Sequence, residues 1–239
     1  MGTLTLTKAD QCLWLGRYTE RVFTELEEFF RAFDANVDLD TQDFSAFWDA
    51  CDYEAEGDKG TEERLFDMLY DYTDPSSVCS DMRAAFGNAI LLRPELGTAT
   101  TSYIELALLN LRKSKEPAAR LVRHRTVCDD ILAFWGAVED GDAPLEVKSL
   151  IGVGKYVERA DLCCRFGRPQ AALDEALGRI GIFLEGIESP ECLPLGATLS
   201  SLAEAIGSRG YDCALATRLA DACVGKRSGR GSRLKDVSA

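Results

Sequence analysis

The stretches LWLGRYTERV and IGVGKYVERA align at a constant offset of 138 residues, matching Gly16 with Gly154, Arg17 with Lys155, Tyr18 with Tyr156, Glu20 with Glu158 and Arg21 with Arg159. A chain that carries one helical string twice must place both copies, and the string is demanding. Glycine inside a helix costs about 1 kcal/mol against alanine, so its presence points to a close helix approach or to access for a ligand. At ~100° per residue Gly16 and Glu20 share one side of the helix, with Arg17 and Arg21 one step round.

The two copies sit in different surroundings. Leu15, Tyr18, Val22, Leu26, Phe29 and Phe33 recur every three or four residues, which makes the first helix amphipathic and sets Glu20 beside its apolar stripe. The second copy is apolar nearly all round, with Val153, Val157, Ala160 and Cys164 on one side and Ile151 and Leu162 flanking Glu158. That composition predicts a central helix and a buried Glu158. A buried carboxylate needs a partner. Arg159, or Arg21 from the other copy, is the candidate, and side-by-side packing would build a cross-helix ion-pair cluster.

Helical spacing continues along the chain, and Pro75, Pro94, Pro117, Pro144 and Pro169 each precede a run of helix formers. The reading is all-α: a bundle of about eight to ten helices with the two motif helices packed centrally. Helices are expected at 7–33, 41–54, 61–72, 76–92, 97–114, 117–138, 144–167, 169–187, 197–207 and 211–224. Residues 1–224 are read as a single helical domain. Within it, 34–81 forms an acidic, partly peripheral hairpin; 225–239 is read as a disordered basic tail.

Charge is uneven. Residues 34–81 hold fifteen acids against Lys59 and Arg64, whereas 112–125 hold six Arg or Lys against Glu116, within an overall net charge of -13. Such a balance, with no aromatic residues interleaved among the basic ones, argues against nucleic acid as a partner. Nine cysteines with no C-x-x-C pair fit buried thiols in a reducing compartment. The lone His124 cannot furnish Glu-x-x-His pairs, so no metal is expected. No membrane span or signal peptide is read, and the cytoplasm is the expected location. Neither a Walker-type loop nor a strand-borne GxGxxG is present, so no cofactor is expected.

At Trp14–Arg21 and Gly154–Asp161 the sequence resembles the bacterial alpha-E family, helical proteins named for their Glu-Arg motif. Between those strings the family has Asn-Pro-Ser-Ser-Ile leading into Ala-Arg-Glu-Asn-Ala-Arg; here Asp74–Val78 leads into Ala85–Ile90, with Asn88 and a following Arg93 retained. The resemblance covers roughly residues 4–224. It implies a site built from Arg17, Glu20, Arg21, Lys155, Glu158, Arg159, Asn88 and Arg93, reduced here because Phe86, Gly87 and Ile90 replace charged residues. It also implies association with circularly permuted ATP-grasp proteins and transglutaminase-like proteases. The expected role is a non-catalytic accessory or substrate-binding partner of an ATP-grasp ligase in a peptide-forming or peptide-modifying system. Two alternatives stand beside it: an enzyme acting on an amino acid, peptide or acyl intermediate, with Glu158 as acid or base, and a scaffold for homo-oligomers. Apart from catalysis, the cluster's expected role is either to fix helix register or to bind an anionic or amino-acid-like ligand.

Overall fold

The computed structural model describes residues 4–51, 53, 60–115, 120–188, 192, 196–201, 203–204 and 218. The expected basic tail, the helix at 211–224 and Cys213 and Cys223 lie outside the described residues, apart from a single helical residue at 218. Eight helices have defined bounds: α1 (Leu6–Leu39), α2 (Ser45–Ala50), α3 (Thr61–Tyr70), α4 (Val78–Leu91), α5 (Arg93–Lys113), α6 (Arg120–Asp140), α7 (Leu145–Arg165) and α8 (Gln170–Leu184). Residues 196–201 are also helical, and no strand occurs among the described residues. The chain is an all-α bundle.

α1 is the spine. Its 34 residues span about 50 Å, starting at Thr5, whose hydroxyl accepts from Lys8 N, and ending at Asp40 in the left-handed conformation. It runs six residues beyond the expected end at 33. Asn36 explains the extension: its amide donates to the carbonyls of Ala32 and Asp43 and accepts from Thr41 and Asp43 N. Those bonds hold 40–44 as a non-helical connection, which shortens the helix expected at 41–54 to the six residues of α2. In α5, Gly97 (φ 79°) kinks the helix. Gly97 separates a first turn at 93–96 from the helix that follows it, so the long part of α5 begins where the start at 97 was expected.

α7, α4 and α6 pack on α1; α5 bridges α4 and α6, and α8 lies on α7. Leu15, Val22, Leu26 and Phe29 of the α1 stripe are buried, and Phe29 meets Phe44 and Phe47 across the α1–α2 connection. His124 is a core residue. Its ring lies edge-on to Phe29, and its Nε2 is 2.7 Å from the Tyr70 hydroxyl, which donates to the Ser114 carbonyl. The seven described cysteines are buried thiols. No helix among the described residues is long and apolar enough to cross a membrane.

The α1–α7 contact is made at backbone range. A Cβ on Gly16 would overlap the Ile151 carbonyl and stand 2.7 Å from Lys155 N; a Cβ on Gly154 would overlap the Leu13 carbonyl and stand 2.8 Å from its carbon. Leu13 and Ile151 are themselves matched positions of the repeat, so one contact is made twice about a local two-fold. From there the contacts advance together through Glu20 with Arg159 to Glu28 with Arg168. The two helices therefore run parallel.

Backbone cannot yield as a flexible side chain can, so Gly16→Ala and Gly154→Ala should each cost about 3 kcal/mol or more. Gly87→Ala and Gly136→Ala, at helical glycines with open space around the missing Cβ, should instead gain up to about 1 kcal/mol. Thermal melts of the four variants followed by circular dichroism check both signs.

Candidate functional site at the paired Glu-Arg motifs

With the glycines setting the spacing, the next turn of each helix brings its charges face to face. Glu158 accepts from Arg17 Nε at 2.7 Å and Arg21 Nε at 2.5 Å. In the two-fold-related pair, Arg159 binds Glu20 with both prongs of its guanidinium, at 2.6 and 2.8 Å, and Thr24 donates to the same carboxylate. Each copy's glutamate thus takes the other copy's arginine. Glu20 is as deeply buried as Glu158, at 1% exposure each. Its expected place at the edge of the stripe is corrected because α7 closes over that edge; of the two partners expected for Glu158, Arg21 takes it and Arg159 goes to Glu20.

The symmetry breaks at the basic residue before tyrosine. Arg17 is buried, lies over the Trp14 ring at 4.6 Å and completes the Glu158 pair. Its counterpart Lys155 ion-pairs with no carboxylate among the described residues; its ammonium sits 3.5 Å above the Trp135 ring. Trp135 in turn donates to the Thr19 hydroxyl.

Electrostatics follow that difference. Burial alone would raise the Glu158 carboxyl, but the guanidiniums of Arg21 and Arg17 outweigh it and hold the group at about 2. Glu20 lies above the usual carboxylate range, because burial costs its charge more than Arg159 and Lys155 return. Burial pulls Lys155 down to about 8 against the attraction of Glu20.

A second break concerns the tyrosines. In the first copy Tyr18 stacks on Trp14 of its own helix, with ring centres 4.9 Å apart. The position matching Trp14 is Gly152, and there Phe183 of α8 moves in over the bare backbone and stacks on Tyr156 at 5.8 Å. Beside Phe183 opens a cleft of about 560 Å³ between α6, α7 and α8, with Lys155, Tyr156 and Trp135 in its walls.

The remaining expected residues stand apart. Asn88 is buried on α4 and hydrogen-bonds to no member of the cluster, while Arg93 is exposed at the start of α5. The residue that α4 does supply is Asp81, 3.4 Å from Arg21. The sequence did hold a signal for it: an acid next to the buried Val78, Met82 and Ala85 of α4. Trp135 and Phe183 carried no comparable signal, since each belongs to an ordinary apolar run.

These features define a class: an all-α protein in which two helices carry reciprocal Glu-Arg pairs. Residues 7–201 match the family model Alpha-E, described as a predicted alpha-helical domain with a conserved ER motif, and the chain belongs to that family. No curated protein and no solved structure matches it.

Because the Glu158 pKa is lowered on folding, the stability it contributes is present above about 4.5 and is lost as pH falls toward about 2. Urea titrations should show Glu158→Gln less stable than the unaltered chain by about 3 kcal/mol near neutrality, with the gap closing below pH 4.5. For Glu20, whose folded pKa is raised, the sign reverses. The advantage of the unaltered chain over Glu20→Gln should narrow as pH climbs above 4.5.

Proposed function

We propose that this Alpha-E protein is a non-catalytic accessory that docks an ATP-grasp ligase or holds that ligase's peptide substrate. The observation that carries the reading is the state of Glu158. A carboxylate clamped by two guanidiniums and held far below neutrality neither gives nor takes a proton readily at physiological pH, and both its oxygens are occupied. The same geometry suits a register lock for the two motif helices. The ligase as partner rests on the family resemblance carried by Trp14–Arg21 and Gly154–Asp161. Residues 1–224 act in this reading as one helical unit, with the basic 225–239 segment outside it.

The enzymatic alternative keeps one supporting observation: Glu20 has the raised pKa of a general acid. It is buried and held by both prongs of Arg159, which favours the structural role.

Co-expression with an ATP-grasp ligase of the kind the family resemblance implies should give a complex that survives size-exclusion chromatography. Ligase turnover should fall when the accessory is omitted and return when it is added back. A ligase that is fully active and uncomplexed without it would sink the reading.

A further inference from the structure

The cleft beside the second motif copy has a composition that the ion-pair cluster does not explain. Its volume of about 560 Å³ is that of a small-molecule site. Val138, Leu145, Ile151 and Ile182 join the aromatic rings in its walls, so most of what a ligand would touch is apolar.

The charges are specific. Lys148, Lys155 and Arg179 face Glu139 and Glu185 around the cleft, leaving one net positive charge. Lys148 is committed, since its ammonium donates to the carbonyls of Glu139 and Gly141 at the end of α6. Lys155 is not. Its ammonium rests on the Trp135 face and donates to no acceptor among the described residues, and the half-buried side chain lines the cleft, where a ligand's acceptor could meet it. The counterpart Arg17 shows what that position does when an acid is in reach: it takes Glu158.

We propose that this cleft binds a monocarboxylate carrying an apolar or aromatic body, with the Lys155 ammonium taking the carboxylate and Trp135, Tyr156 and Phe183 enclosing the body. One net positive charge matches one carboxylate, and the acids Glu139 and Glu185 disfavour a phosphate ester with its two charges. The carboxylate could be that of a free small acid or the C-terminus of a peptide. The proposal deepens the accessory reading by naming what the protein would hold, yet it concerns binding by this chain alone. Its failure would leave the ligase complex untouched.

The test uses the full chain and four probes: 3-phenylpropionate, N-acetylphenylalanine, the tripeptide Ala-Ala-Phe and N-acetylphenylalaninamide. Binding is followed by calorimetry and by tryptophan fluorescence, for which Trp135 is the reporter. The acids should bind saturably, and the amide about tenfold more weakly or worse, as expected for loss of a charge-assisted bond. Lys155→Met should weaken the acids by a similar factor and leave the amide unchanged. Tighter binding of the tripeptide than of phenylpropionate would assign the peptide terminus, and the reverse order a free acid. Affinity for the acids should also fall as pH rises through about 8, where the ammonium begins to lose its proton. The groups acting on that ammonium are Glu20 of α1, Glu139 of α6, Arg159 of α7 and Arg179 of α8.

Equal binding of acid and amide, unaltered affinity in Lys155→Met, or no binding of any acid at millimolar concentration overturns the proposal. The comparison of acid with amide needs no variant, so it stands even if Lys155→Met fails to fold.

Discussion

Two helix backbones touch at Gly16 and Gly154, and the placement of every charge in the motif follows from that contact. With the axes this close, the side chains one turn later cannot reach past each other to solvent and must meet. Glu158 finds Arg17 and Arg21, and Glu20 finds Arg159. Sliding α7 by one turn along α1 would put a side chain where neither backbone leaves room for a Cβ, and would separate every ion pair at once. Shape and charge thus select the same register. Buried ion pairs are weak contributors to net stability, because desolvation consumes much of their attraction. Their effect here is discriminatory: misaligned packings would bury five charged side chains without partners.

The repeat's near-symmetry gives its departures meaning. Arginine at position 17 and lysine at 155 divide the two glutamates into one held by two guanidiniums and one held by one, and this is why their proton affinities move in opposite directions. Tryptophan at 14 and glycine at 152 divide the two tyrosines in the same way. The first is covered from within its own helix, the second by Phe183 from α8. Both departures fall on the same flank of α7, where the cleft opens. One copy is closed on itself, and the other is left with an uncommitted cation on an aromatic floor.

Much of this was legible because it is local. Apolar spacing marked the helices, the all-round apolar surface of 151–164 marked Glu158 as buried, and the repeat itself suggested that Arg21 would cross to it. What was not legible depends on residues far apart in the chain. Glu20 reads as a stripe-edge residue until α7 is laid on it. The short α2 depends on the bonds of one side chain, Asn36, to a connection with no marked turn signal. Asn88 and Arg93 entered the expected site by resemblance alone, and they stand away from the cluster because α4 turns Asp81 toward Arg21 instead.

Parallel packing of α1 and α7 also has a temporal side. Two parallel helices cannot be joined by a short hairpin, so the chain builds α2 to α6 before it can return to the end from which α1 set out. During synthesis Arg17, Glu20 and Arg21 exist for more than a hundred residues before Glu158 and Arg159 leave the ribosome. Contacts of such long sequence separation are the slow ones in folding. The first helix to be made is therefore the last to be completed, and a nascent chain cut short before α7 would present an apolar face studded with unneutralised charge.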